Sequence, residues 1–132
     1  MTRLRPFPEV RHRVDGAAIS MYAEVSGDYN PLHVDPDYAA AGPFGVVVAH
    51  GPIALQAVYE AVATWLGCEG LPAGVTVDVA FRGPIPIGST VVCRAAEVLQ
   101  FGAVVVVMAS CTVDDREVLQ ALVKLPRRLA PV

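Results

Sequence analysis

Residues 51–66, GPIALQAVYEAVATWL, decide the fold. Ile53, Leu55, Ala57, Val58, Ala61, Val62 and Trp65 are spread nearly all round a helical cylinder. A helix so apolar on most faces must be wrapped by other structure. Pro52 suits the first turn, where its missing N–H is not needed, and Gly67 is a stop. The segment therefore reads as a long central helix. Downstream of a loop at 70–74, Val75, Val77, Val79 and Phe81 alternate with Thr76, Asp78, Ala80 and Arg82, the period of a strand. Gly83-Pro84 and Pro86-x-Gly88 carry turn chemistry. Residues 89–99, 102–113 and 116–125 read as three further strands, with turns near Gly102 and Asp114-Asp115. The unbroken apolar run Val104 to Met108 is expected of a strand covered on both faces. The reading is α+β: one domain over 1–132, an antiparallel sheet curled around a long central helix.

Upstream, residues 3–14 contain Pro6 and Pro8 and read as an irregular lead-in or an edge strand. Ala17, Ala18, Met21, Tyr22 and Val25 give a short helix over 16–25, with Asp15 as N-cap and Ser26-Gly27 as its stop. A polar loop, GDYNPLH at 27–33, then places Asp28 and His33 five residues apart on backbone that Gly27 and Pro31 keep from continuing the helix. Residues 34–45 are turn-rich, with one helical turn around Asp37 to Ala41. The apolar run 46–49 delivers His50-Gly51 to the start of the long helix. An acid–base pair followed by a helix N-terminus is a way to build a site for a reaction that forms an oxyanion. Against that stands a plainer reading, with Asp28 a turn residue and His33 a structural histidine.

Composition narrows the classes. Hydrophobic residues are 54% of the 132 and charged residues 17%, high apolarity for a lone domain of this size. No stretch approaches about 18 consecutive apolar residues, and the N-terminal residues lack a signal peptide's apolar core. Oligomerisation is the better account, and no membrane association is expected. A net charge of −3 with scattered basic residues gives no footing for nucleic acid. Cys68, Cys93 and Cys111 resemble neither a disulfide framework nor a zinc site, so the expected compartment is cytoplasmic and no metal is expected. Cys93 and Cys111 lie in apolar runs and read as small core residues.

The pattern Tyr22, Ser26-Gly27-Asp28-x-Asn30-Pro31-Leu32-His33, Ala39 or Ala40, then Ala49-His50-Gly51 resembles the MaoC-like, (R)-specific enoyl-CoA hydratase family of hotdog-fold proteins. Phe81-Arg82-x-Pro84-x-x-x-Gly88 is similar to that family's later strand-and-turn signature. The resemblance implies a hotdog domain and a hydro-lyase that adds water to a trans-2-enoyl thioester, giving the (R)-3-hydroxyacyl thioester. It implies Asp28 and His33 as the catalytic pair, activating water at Cβ and delivering a proton to Cα, and Gly51 as a backbone donor to the thioester carbonyl. Pro52 has no N–H, which leaves Gly51 as the donor at that helix start.

Four further residues are candidate substrate contacts. Asn30 fits a loop-supporting role as well as a substrate contact. His50 is either a second functional group or a packing residue at the helix entry. Gln56 stands near a position where relatives carry a small hydroxyl residue, usually serine, so a reshaped acyl pocket or altered activity is expected. Arg82 is placed either to reach a CoA phosphate or to sit exposed at a strand end. No cofactor is expected beyond the CoA or phosphopantetheine of the substrate. The alternatives are a 3-hydroxyacyl-ACP dehydratase of fatty-acid or polyketide synthesis, a hotdog thioesterase, and a non-catalytic hotdog subunit needing a partner. A single hotdog unit leaves a sheet edge and apolar surface open, so a homodimer with joined sheets is expected.

Overall fold

The computed structural model describes residues 3–132; Met1 and Thr2, part of the expected 1–132 span, lie outside the described residues. The chain runs β1 (Val10–Arg13), α1 (Gly16–Ser26), α2 (Pro31–Val34), α3 (Pro36–Ala40), α4 (Pro52–Leu66), β2 (Thr76–Phe81), β3 (Thr90–Phe101), β4 (Val104–Val113) and β5 (Arg116–Pro126). The five strands form one antiparallel sheet in the order β1-β3-β4-β5-β2. β3, β4 and β5 are a meander of neighbours in sequence, while the lead-in supplies β1 as an edge strand. The turn between β4 and β5 places Asp114 and Asp115 at φ 49° and 62°, as a tight two-residue hairpin requires.

One side of α4 packs on one face of the sheet. Ala54, Ala57, Val58, Ala61 and Val62 pack with Val91, Val105, Val107, Leu119 and Val123, all buried. The alanines let the helix axis approach the sheet, and the β-branched residues fill the pleated surface opposite. Cys93 and Cys111 face each other across β3 and β4 in this layer, confirming them as core residues. The Cys111 thiol is pushed far above its ordinary range, by the adjacent Cys93 sulfur and then by burial.

The expectation of two covered faces does not hold within one chain. In β4, Val105 and Val107 are buried, but Val104 and Met108 on the outer face are exposed. The central helix is likewise wrapped on one side, since Gln56, Tyr59 and Glu60 face outward. Apolar content does not reveal which apolar face the same chain covers.

Two elements read as loops have more structure than expected. Pro31 does not merely end α1; it occupies the first turn of α2, with Asn30 as N-cap. The turn-rich stretch after Gly83 clasps the run before His50. Ala49 N–H donates to Ile85 C=O at 2.8 Å and Ile87 N–H to Val47 C=O at 2.9 Å, around a bridge between Val48 and Pro86. This clasp anchors the entry to α4.

Candidate active site

Asp28 is placed by a chain of local turns. Gly27 caps α1 in the left-handed region, φ 74°, with its N–H on Ala23 C=O. Ser26 Oγ donates to Tyr22 C=O at 2.7 Å and accepts from Asp28 N–H at 3.2 Å. Asp28 Oδ1 accepts from Asn30 N–H at 3.1 Å, and Asn30 Oδ1 from Leu32 N–H at 3.0 Å. Short polar side chains thus carry the backbone from one helix into the next. Asn30 acts here as the capping residue that supports the loop. The second Asp28 carboxylate oxygen has no protein partner among the described residues.

Two imidazoles complete the cluster. His33, on α2, has Nδ1 at 2.6 Å from Val48 C=O. A carbonyl only accepts, so Nδ1 carries the proton and, in the neutral ring, Nε2 keeps a lone pair. His50 is buried, 2% exposed, and its Nε2–H donates to Asp28 C=O at 2.8 Å. Its Nδ1 is buried without a hydrogen-bond partner. The two rings lie against each other, tilted by 31° with centroids 4.0 Å apart, and the Tyr22 ring lies 4.7 Å from that of His50. One donor atom from each of Asp28, His33 and His50 lies within 4.8 Å of the other two, close enough for the three to share a metal ion.

α4 begins two residues after His50, with Gly51 as its N-cap. Ile53 N–H bonds His50 C=O and Ala54 N–H bonds Gly51 C=O, both at 3.0 Å, and Pro52 has no N–H. The Gly51 N–H has no protein partner among the described residues and no side chain caps this end. An uncommitted donor at the positive end of a 15-residue helix favours negative charge. A Cβ at Gly51 would lie 2.9 Å from the Phe81 ring, so any larger residue there must displace that ring.

The fold thus brings Asp28, His33, His50 and Gly51 together, with Asn30 supporting the loop. Gln56 is exposed and lies one and a half turns along α4, lining a groove of about 240 Å³ with Ala18, Met21, Tyr22, Val25 and Ile53. Arg82 is not brought to the cluster. Phe81, half exposed, lies against Gly51, and the next side chain points to the outer face, where Arg82 donates to Gln120 at 3.0 Å. Three contributions escape a reading of the sequence: the Val48 carbonyl that orients His33, the Tyr22 ring against His50, and Phe81 over Gly51. Tyr22 and Phe81 stand in the quoted motifs, but spacing gives no sign of what they touch.

A hotdog α+β domain with an Asp–His cluster at the mouth of its central helix is one class of protein. Residues 5–113 match the MaoC like domain, and the chain belongs to that family. It is 29% identical over 123 residues to the 3-hydroxybutyryl-CoA dehydratase of Methylorubrum extorquens, covering 90% of this chain and 78% of that protein. It is 32% identical over 117 residues to the (R)-specific enoyl-CoA hydratase of Rhodospirillum rubrum, covering 83% and 78%. Against 3-hydroxyacyl-thioester dehydratase Z of Mycobacterium tuberculosis the identity is 34% over 76 residues, 55% of this chain and 50% of that one, so the match spans half of that relative. Among solved structures, the (R)-hydratase from A. caviae superposes with a TM-score of 0.75 at 18% identity, covering 96% and 98% of the two chains. A chain of the ChsH1-ChsH2 complex from Mycobacterium tuberculosis gives 0.76 at 19% over the same shares, and both likenesses concern the fold. Among the described residues, no helix is long and apolar enough to cross a membrane.

Proposed function

We propose that this chain is an (R)-specific hydro-lyase that reversibly adds water to a trans-2-enoyl thioester. The observation that carries the reading is the meeting of Asp28 and His33, each with an uncommitted acid–base atom, beside the free N–H of Gly51. Water attacks Cβ as one member of the pair takes its proton. The other member delivers a proton to Cα on the same face, so the hydroxyl and hydrogen add syn. Charge that develops on the thioester oxygen meets the Gly51 N–H and the α4 dipole. Asn30 holds the loop rather than the substrate. His50 works from below, fixing the Asp28 backbone and supporting the His33 ring. In this reading Gln56 meets the acyl chain and the carrier is CoA; the phosphopantetheine of a carrier protein would use the same site.

The names of the relatives, an enoyl-CoA hydratase and two thioester dehydratases, support this chemistry. The outward face of α4 and the free edge of β2 support a homodimer in which the sheets join. A monomer at micromolar concentration in scattering experiments would count against that assembly.

The test is loss of enoyl absorbance with crotonyl-CoA and a longer enoyl-CoA. Asp28→Asn, which keeps the turn hydrogen bond but loses the carboxylate, is expected to lower turnover by about 10²- to 10⁴-fold with an unchanged melting temperature. Full activity of that variant would refute the assignment. Release of free thiol without hydration would identify a thioesterase instead.

A further inference from the structure

We propose that Asp28, His33 and His50 form a site for one divalent d-block cation of borderline softness, zinc foremost, and that the bound cation blocks hydration. The inhibitory half rests on the function proposed above; the binding half does not. Two imidazole nitrogens and one carboxylate oxygen are the donor set of zinc sites that keep an open position, whereas magnesium and calcium prefer all-oxygen surroundings.

The arrangement around the donors matches that chemistry. Each ring is oriented by a backbone carbonyl on one nitrogen, Val48 C=O for His33 and Asp28 C=O for His50. Metal-ligating histidines are ordinarily fixed this way, by a hydrogen bond from the nitrogen that does not bind. Independently, His50 Nδ1 is a buried acceptor with no partner in a ring only 2% exposed. Such an atom costs free energy unless something coordinates it. One ring nitrogen from each histidine and one Asp28 oxygen already lie within 4.8 Å of one another, and a cation bound at about 2.1 Å draws its donors to about 3.4 Å. The exposed Asp28 side chain supplies the carboxylate's share of that movement by its own torsions. Once the cation holds these donors, no group remains to take a proton from water or return one to Cα.

Titration of the metal-free chain with Co²⁺, read by its visible ligand-field absorption, tests binding directly. The expected result is one equivalent per chain, displaced by Zn²⁺ and not by Mg²⁺. Affinity should fall at least about tenfold in Asp28→Ala, His33→Ala and His50→Phe. His33→Ala decides the matter if the buried His50 variant fails to fold. Cys68→Ser and His12→Gln, which alter donors away from the cluster, should leave binding unchanged. Absence of a one-to-one complex, or one indifferent to His33→Ala, overturns the site and leaves His50 Nδ1 to a water. Hydration that continues at saturating Zn²⁺ overturns the inhibitory half. Co²⁺ bound as expected by a chain that hydrates no enoyl thioester supports the metal site and sinks the hydratase reading.

Discussion

The two ends of α4 are built to opposite plans. At the C-terminal end the chain ties itself back. Gly67 turns left-handed at φ 69°, Cys68 N–H returns to Ala63 C=O at 2.9 Å, and Trp65 Nε1–H donates to Arg5 C=O at 2.9 Å. The Phe7 ring meets Trp65 edge-on with centroids 5.4 Å apart. At the N-terminal end no side chain caps the helix, the Gly51 N–H is uncommitted, and a buried histidine nitrogen stands unpartnered. The contrast teaches where this chain spends its stability. Backbone groups satisfied within the protein hold the fold, and those left unsatisfied are available to a substrate or an ion.

The sharpest way to break the closed end is Trp65→Ala. It removes a large buried side chain and should cost about 3–5 kcal/mol, read in urea unfolding, while turnover per folded molecule stays unchanged. At the open end, Gly51→Ala pushes a methyl group into Phe81 and should lower kcat/KM by about a hundredfold with little change in the unfolding midpoint. Adding Phe81→Ala to that variant should recover part of the loss, which would locate the damage at the contact. Gly67→Ala, which forces a side chain into left-handed backbone, should cost about 1 kcal/mol and leave turnover alone.

The smallest effect concerns the lead-in to β1, whose Arg5 and Phe7 reach the closed end. Hydrogen bonds from Arg94, then Arg11, hold the exposed Glu9 carboxyl below its ordinary value of 4.5. The folded value lies below the unfolded one, so its contribution is present above the unfolded value and is lost as pH falls through the folded value. Glu9→Gln should therefore shift the melting temperature only slightly at neutral pH, and not at all in acid or in high salt. Equal shifts at all pH values would show that the ion pairs are not its cause.

Much of this contrast was legible in the residues. Pro52 and Gly67 mark the helix ends, Asp15 caps α1 by accepting from Ala18 N–H at 2.9 Å, and the strand periods place the sheet. These signals are local, so they survive without tertiary information. The clasp between 47–49 and 85–87 was not legible, because a turn signature does not say which distant backbone its free groups will find. Arg82 and Gln56 show the same limit. Strand alternation tells that Arg82 opposes Phe81 in direction, but only the sheet decides which face holds the site. A long motif singles out Asp28 and His33 as candidates; that Val48 and His50 hold them in place is visible only in space.

The meander of β3, β4 and β5 also sets an order of events for a chain emerging from disorder. Its pairings close through two-residue turns, so they ask for little loop entropy, whereas β1 must find β3 from the far side of the sequence. A folding nucleus in the hairpins is therefore the least costly, with the edges following. The Asp28, His33 and His50 cluster depends on the clasp and on α4 being seated. The chain completes its scaffold before it can assemble its chemistry.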